Sequence, residues 1–259
     1  MTMPGGLDGR ETPNPVGLEL RALQSSARST GDFRALPAPS TLLAMGELIA
    51  VEGLDGAGKR TLIEGLLAAL RARGLRAGTL AFPGYGRSIH ADLAAEALRG
   101  SHGDLAGSIN GMAVLFALDR ADAALELSNL LDSNDIVILD RYVASNAAYS
   151  AARAEQSADG EIIDWVGDLE FGRMKLPVPA LTVLLDVPTE VAAERARRRG
   201  ELDSARALDA YERDGGLQAR TGAVYRELAE RDWYGPWWIY RSDDDRDALL
   251  GRCVEILGE

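Results

Sequence analysis

Beyond Met45 the apolar positions fall into two alternating rhythms. Short unbroken runs occur at Leu48-Ile49-Ala50-Val51-Glu52, Ala77 to Phe82, Ile136-Val137-Ile138-Leu139, Leu181 to Val187 and Trp237 to Tyr240. Their length and continuity suit strands buried on both faces. Between them run longer segments with helical spacing. Leu62, Leu66, Leu67 and Leu70 mark a helix from about Lys59 to Arg73 that Gly74 closes. Further helices are expected over about 88–99, 105–131, 145–156, 160–174, 191–199, 208–231 and 247–257. Buried strands separated by helices predict an α/β protein with a parallel sheet covered on both sides.

Residues 1–44 break this rhythm. They hold Pro4, Pro13, Pro15, Pro37 and Pro39, five of the ten prolines, with no sustained apolar period. The expectation is a flexible leader, 1–44, ahead of a single domain, 45–259. The leader lacks the apolar stretch of a secretory signal. The remaining composition narrows the choice of function. Hydrophobic residues make up 46% of the chain, enough for a large core, and the formal net charge is -12. That charge argues against the general basic surface of a nucleic-acid binder, so an anionic ligand has to meet a local group of arginines. Cys253 is the only cysteine, which rules out an intrachain disulfide and suits a cytoplasmic setting. No apolar run nears the roughly 18 residues of a membrane span. His90 and His102 have no metal-ligand spacing and read as surface residues.

The chemistry concentrates at the ends of the strands. Gly53-Leu54-Asp55-Gly56-Ala57-Gly58-Lys59-Arg60-Thr61 joins the first strand to the first helix. Glycines there let backbone N–H groups turn toward phosphate oxygens, the helix start adds partial positive charge, and Lys59 adds a full one. This is the pattern of a nucleotide phosphate loop, with residues 53, 55, 56, 57, 58, 59, 60 and 61 as its binding set. Arg60 stands where a magnesium-binding hydroxyl usually follows the lysine, and Thr61 is one position late. A carboxylate must then serve Mg2+, and Asp55 is the candidate within the loop. Asp140-Arg141 leaves the third strand at its carboxyl end, where ligands of parallel sheets bind. Magnesium and a phosphate are the functional partners; a local ion pair is the alternative.

Three further groups admit two readings each. Asn146 and Tyr149 share a helical face and could read and gate a pyrimidine, or Ser145 caps a helix whose Tyr149 is core. Phe116, Asp119 and Arg120 would line one side of a helix, where the aromatic and the arginine could hold a flat base by stacking and a hydrogen bond, or the three be a core aromatic beside a solvated ion pair. Arg195, Arg197, Arg198, Arg199 and Arg206 could form a charge-stabilising lid or a solvated face. Arg195 and Arg199 share one helical face; Arg197 and Arg198 lie on others.

Taken in order, Glu52-Gly53-Leu54-Asp55-Gly56-Ala57-Gly58-Lys59, Phe82-Pro83, Asp140-Arg141-Tyr142, Ser145-Asn146-x-x-Tyr149 and Tyr211-Glu212-Arg213-Asp214 resemble thymidylate kinases of the actinobacterial type. The resemblance spans 46–257. It implies a nucleoside monophosphate kinase fold with a five-stranded parallel sheet, a lid over about 195–208 and a homodimer. It implies ATP as donor and thymidine monophosphate as acceptor. It further implies that Phe116 stacks on thymine, Arg120 bonds its exocyclic oxygen, Asn146 meets the base edge and Tyr149 favours 2′-deoxyribose. Tyr85 and Arg141 would meet the monophosphate, Phe82 and Tyr211 would line the substrate, and Asp55 and Glu212 would surround the metal. Gly56 stands where one branch of the family carries a catalytic arginine. The resemblance thus places that arginine in the lid, at Arg195, Arg199 or Arg206, beside Lys59, Asp55 and Arg141. Two positions depart from relatives: Gly84, where an arginine follows Phe-Pro, and Leu202, a lid position that can be arginine.

Overall fold

The computed structural model describes residues 45–202, 209–241 and 244–258. The proposed leader, 1–44, and Arg206 lie outside the described residues, as does the end of the proposed lid.

Five parallel strands form one sheet in the order β2-β3-β1-β4-β5: β1 Glu47–Glu52, β2 Ala77–Ala81, β3 Ile136–Asp140, β4 Leu181–Leu185 and β5 Trp237–Tyr240. Ten α-helices connect or cover them among the described residues. They are α1 Lys59–Ala72, α2 Ile89–Leu98, α3 Ile109–Asp122, α4 Ala124–Ser133 and α5 Val143–Arg153, followed by α6 Glu161–Gly167, α7 Thr189–Leu202, α8 Ala210–Arg213, α9 Gly215–Glu230 and α10 Arg246–Glu255.

Period-two alternation sorts each strand's side chains between two cores. Leu48, Ala50, Val137, Leu139 and Leu184 face α5 and α9, packing with Ala147, Ala151, Val224 and Leu228. Ile49, Val51, Ile136, Ile138 and Val183 face the other way, onto Leu62, Leu66 and Leu70 of α1 and Leu249 and Cys253 of α10. The all-apolar reading of the strands follows from this double coverage. In register, Val51 of β1 lies opposite Asp140 of β3, so the loops leaving these two strands emerge side by side. The chain order switches direction around β1, which opens a crevice at the carboxyl edge.

Three expected helices are divided. The segment expected over 105–131 begins with a 3₁₀ turn at Leu105–Gly107, and α3 and α4 meet at Ala123. Ser108 caps α3, its Oγ accepting from Gly111 N–H. The helix expected over 208–231 is broken at Asp214, which caps α9 by accepting from Leu217 N–H at 2.9 Å. The segment expected over 160–174 changes pitch, with a π-helical turn at Asp168–Arg173 following α6. In the other direction, α7 continues to Leu202, past the expected end at 199.

Candidate active site

The loop from Gly53 to Gly58 crosses from β1 to α1 at the crevice. Gly53 and Gly56 have φ of 140° and 81°, which disfavour any side chain. Both glycines are also tightly packed. A Cβ on Gly53 would lie 2.7 Å from Leu185 O, and one on Gly56 would lie 2.1 Å from the carbonyl oxygen of Ala192 in α7. Helix α7 thus rests directly on the loop, and Arg195 reaches it, donating from Nη1 to Ala57 O at 3.3 Å.

Lys59 is buried with its ammonium turned back on the loop, donating to Gly53 O at 3.1 Å and Leu54 O at 3.0 Å. Burial, reinforced by the neighbouring Arg141 charge and only partly opposed by Asp55 and Asp140, pulls its pKa down to about 8. Arg60 and Thr61 are exposed. Arg60 bonds Glu64 on the outer face of α1 at 2.7 Å, so its side chain points away from the expected phosphate-binding set.

Arg141 is the hub of the floor. Its φ of 65° turns the chain sharply out of β3, and its N–H donates to Val51 O at 3.0 Å. Its guanidinium bonds Asp55 Oδ1 at 2.6 Å, Ser145 Oγ at 3.1 Å and Tyr225 Oη at 3.4 Å. It also lies 5.6 Å from the centre of the Tyr149 ring. Asp55 accepts a second bond, from Tyr149 Oη at 3.0 Å. Burial alone would raise the Asp55 pKa, but Arg141 and Lys59 outweigh it and hold the carboxyl ionised well below the usual range. Asp140 contributes an oxygen, Oδ1, that is buried without a hydrogen-bond partner among the described residues.

Beneath Arg141, Glu52 is fully buried and accepts from Tyr142 N–H, Ser145 N–H, Ser145 Oγ and Tyr225 Oη at 2.6–3.2 Å. The two hydroxyls that hold Arg141 are therefore themselves held by Glu52. Glu52 has no role among the expectations drawn from the loop motif. A charged residue closing an otherwise apolar strand was the available signal.

A cavity of about 380 Å³ opens beside Asp55 and Arg141 and extends between α2, α3 and α5. Of the expected substrate residues, Phe82, Tyr85, Phe116, Arg120, Arg141, Asn146, Tyr149 and Tyr211 all line it, together with Asp55, Arg199 and Glu212. Phe82 is nearly buried, packed on Tyr142 at 6.1 Å between ring centres. Tyr149 and Tyr211 stack at 6.0 Å. Arg153, which sequence reading passed over, also lines the cavity, donating to Tyr211 Oη and to Ala106 O, both at 2.5 Å.

Asp119 is not part of a solvated ion pair: it is 1% exposed and accepts from the backbone N–H of Gly84 at 2.9 Å. Glu212, expected beside a metal, is occupied by protein partners. It accepts from Arg199 Nη2 at 2.7 Å and from Asp209 N–H at 3.2 Å, closing the reciprocal cap of α8. Burial, then the nearby Asp55 and Asp209 charges, raise its pKa. Arg199 still has a buried Nε without a partner among the described residues. Arg197 pairs with Glu194 on the exposed face of α7, and Arg198 is exposed.

The chain matches the family described as thymidylate kinase over residues 51–234. It is 58% identical over 202 residues to the thymidylate kinase of Mycobacterium tuberculosis, covering 78% of this chain and 94% of that protein. It is 35% identical over 224 residues to the thymidylate kinase of Akkermansia muciniphila, with 82% and 96% covered. A probable thymidylate kinase of Archaeoglobus fulgidus is 36% identical over 166 residues, with 62% and 75% covered. The loop and arginine floor at the carboxyl edge of a five-stranded parallel sheet belong with this match, and the chain is a member of the thymidylate kinase family.

Proposed function

We propose that the cavity receives thymidine monophosphate, with its phosphate at Arg141 and its base toward Phe116, Arg120 and Asn146, while the glycine-rich loop holds ATP. The chain transfers the γ-phosphoryl group of ATP to thymidine monophosphate, giving thymidine diphosphate. The observation that carries the substrate placement is the cavity's polarity. Its lining joins the Asp55–Arg141 pair beside the loop to the Phe116 ring and the buried Arg120 guanidinium.

In the transfer, an oxygen of the acceptor phosphate attacks the γ-phosphorus as the bond to the ADP oxygen breaks. Catalysis then rests on alignment and on compensation of negative charge. Arg141 would fix the attacking phosphate, aided by Tyr85 at the rim. Lys59 would leave the loop carbonyls for the phosphates, which are stronger acceptors. Arg195 and Arg199, presented by α7 over the loop, would complete the charge compensation, so that the carboxyl half of α7 serves as the lid.

The residues present suit magnesium. Asp55 is held ionised, and the unpartnered Asp140 oxygen is buried beside Lys59. Among the described residues no three His, Cys, Asp or Glu side chains cluster into a cage, as suits an ion held mainly by substrate phosphates and water. Bound there, magnesium would neutralise the phosphate oxygens. Glu212, were it to join, would share its carboxylate between the ion and Arg199. The reading also includes a homodimer and a cytoplasmic setting; no helix among the described residues is long and apolar enough to cross a membrane.

A coupled ADP-release assay across nucleoside monophosphates tests the reading. Steady release dependent on thymidine monophosphate and magnesium is expected; release indifferent to the acceptor would overturn it. The pH profile gives a second check. Lys59 is charged below about 8 and loses its proton above it, so kcat/KM for ATP should decline as pH rises through that value. The alkaline limb of kcat should lie higher, because bound phosphates favour the charged lysine. Superimposable profiles would remove Lys59 from phosphate contact.

Tyr149 supplies a third test. Its ring lies over the Arg141 guanidinium and its hydroxyl bonds Asp55. If ring bulk excludes a 2′-hydroxyl, Tyr149→Ala should shift the ribo-to-deoxy turnover ratio by roughly tenfold or more, and Tyr149→Phe only slightly. An unchanged ratio in Tyr149→Ala would assign the residue to holding Asp55 alone.

A further inference from the structure

We propose that Glu170 is the positioning residue that decides which pyrimidine edge the base pocket accepts. The inference rests on the placement of the base beside Arg120 and Asn146.

Glu170 lies in the π-helical turn Asp168–Arg173, a distortion often found at functional sites, and is fully buried. Its carboxylate takes Arg120 in a two-pronged pair, Nε to Oε2 at 2.5 Å and Nη2 to Oε1 at 2.7 Å. Oε1 also accepts from Asn146 Nδ2 at 2.8 Å, and the same amide nitrogen donates to Ala113 O at 2.9 Å. Arg120 and Asn146 are 3% and 4% exposed, and both line the cavity.

This arrangement leaves little choice in what the two side chains can offer. An amide nitrogen has two hydrogens, and Ala113 O and Glu170 use both. Asn146 can then present only Oδ1, an acceptor, whose one protein donor among the described residues is Ser150 Oγ at 3.4 Å. Arg120 can only donate. Between them, Arg120 therefore offers donors only and Asn146 an acceptor only. Thymine and uracil carry the complement, a carbonyl oxygen at position 4 and an N–H at position 3. Cytosine carries the reverse, an amino group at position 4 and a bare nitrogen at position 3, and meets Arg120 with donor against donor.

The carboxylate is what locks this polarity. Oε1 accepts from both residues at once, so a flipped Asn146 amide would turn Oδ1 against Glu170 and Ala113 O together. The negative charge also keeps the buried guanidinium in place. The carboxylate acts on the pair that faces positions 3 and 4 of the ring and not on position 5, so Glu170 should separate cytosine from uracil and be indifferent between uracil and thymine.

Three acceptors test this: the deoxymonophosphates of thymidine, uridine and cytidine. Glu170→Gln places a donor where Oε1 or Oε2 accepted, removing the lock at nearly constant volume. The preference for deoxyuridine over deoxycytidine monophosphate should fall by roughly tenfold or more, while the thymidine-to-deoxyuridine ratio stays as in the wild type. General damage to the pocket would lower all three together. A folded Glu170→Gln with unchanged uridine-to-cytidine preference overturns the proposal. Should the uncompensated Arg120 prevent folding, Glu170→Asp keeps the charge and shortens the reach. It should raise KM for thymidine monophosphate roughly tenfold with kcat little changed and the cytidine barrier lowered; wild-type KM and preference in that variant equally overturn it. Arg120→Ala and Asn146→Ala separate the two levels of inference. If both leave thymidine monophosphate kinetics intact, the base placement itself is wrong. If either is impaired while both Glu170 variants behave as wild type, only the role of Glu170 is wrong.

Discussion

Lys59→Ala should lower turnover by roughly 10³-fold or more while the protein remains folded. The lysine is buried, but its protein contacts are two carbonyl oxygens of its own loop. Their loss costs about 1–3 kcal/mol, against a sheet packed on both faces. Desolvation of the ammonium, which already lowers its pKa to about 8, offsets part of that loss when the charge is removed. The catalytic penalty has no such offset, because the transferring phosphoryl group would lose a cation fixed at the loop–helix junction. Steady-state ADP release together with a melting curve checks the two halves of the statement. Near-normal turnover in a folded variant would show that the phosphates are held by backbone N–H groups alone.

Arg199→Ala should reduce kcat by roughly 10²–10⁴-fold with little change in KM for thymidine monophosphate, the signature of a cation acting mainly in the transition state. Arg199 lines the acceptor cavity from α7, paired with Glu212 through Nη2 and holding a buried Nε without a partner among the described residues. Both features suit a guanidinium whose preferred partner arrives with the substrates. Its neighbour Arg198 is exposed on another face, so Arg198→Ala should be nearly silent. Arg195, bonded to Ala57 O, should show an intermediate loss. Single-turnover rates for the three variants would order them. Equal and mild effects would leave charge compensation to Lys59, Arg141 and magnesium.

The architecture was legible because the strands are unbroken apolar runs and each core needs both faces of the sheet. Boundaries were harder. Ala123 and Asp214 interrupt stretches whose apolar spacing continues across the break; Asp214 caps α9 and so marks its division, whereas Ala123 offers no side-chain cap and Ser108 marks only the start of α3. The loop, Asp140-Arg141 and the face shared by Asn146 and Tyr149 were readable from spacing, since each lies within one element or at its end. The two buried glutamates were not. Glu52 looks like an ordinary strand terminus until Ser145 and Tyr225 are brought to it from positions 93 and 173 residues away. Glu170 sits in a stretch with acids at 161, 164 and 168 and is indistinguishable from them by pattern. Its partner Arg120 is 50 residues distant. Asp119 was misread for the same reason: an acid beside an arginine on a helix suggests a surface pair, whereas it serves a backbone N–H from a loop 35 residues earlier.

The contact between Gly56 and α7 bears on how such a chain can change over generations. A side chain at position 56 would begin 2.1 Å from Ala192 O, a backbone atom that no substitution in α7 can trim away. A side chain at position 56 therefore requires the α7 backbone to give way, and with it the contact from Arg195 to Ala57 O. Position 56 and the first turn of α7 are thus expected to tolerate replacement only as a unit, loop and helix changing together.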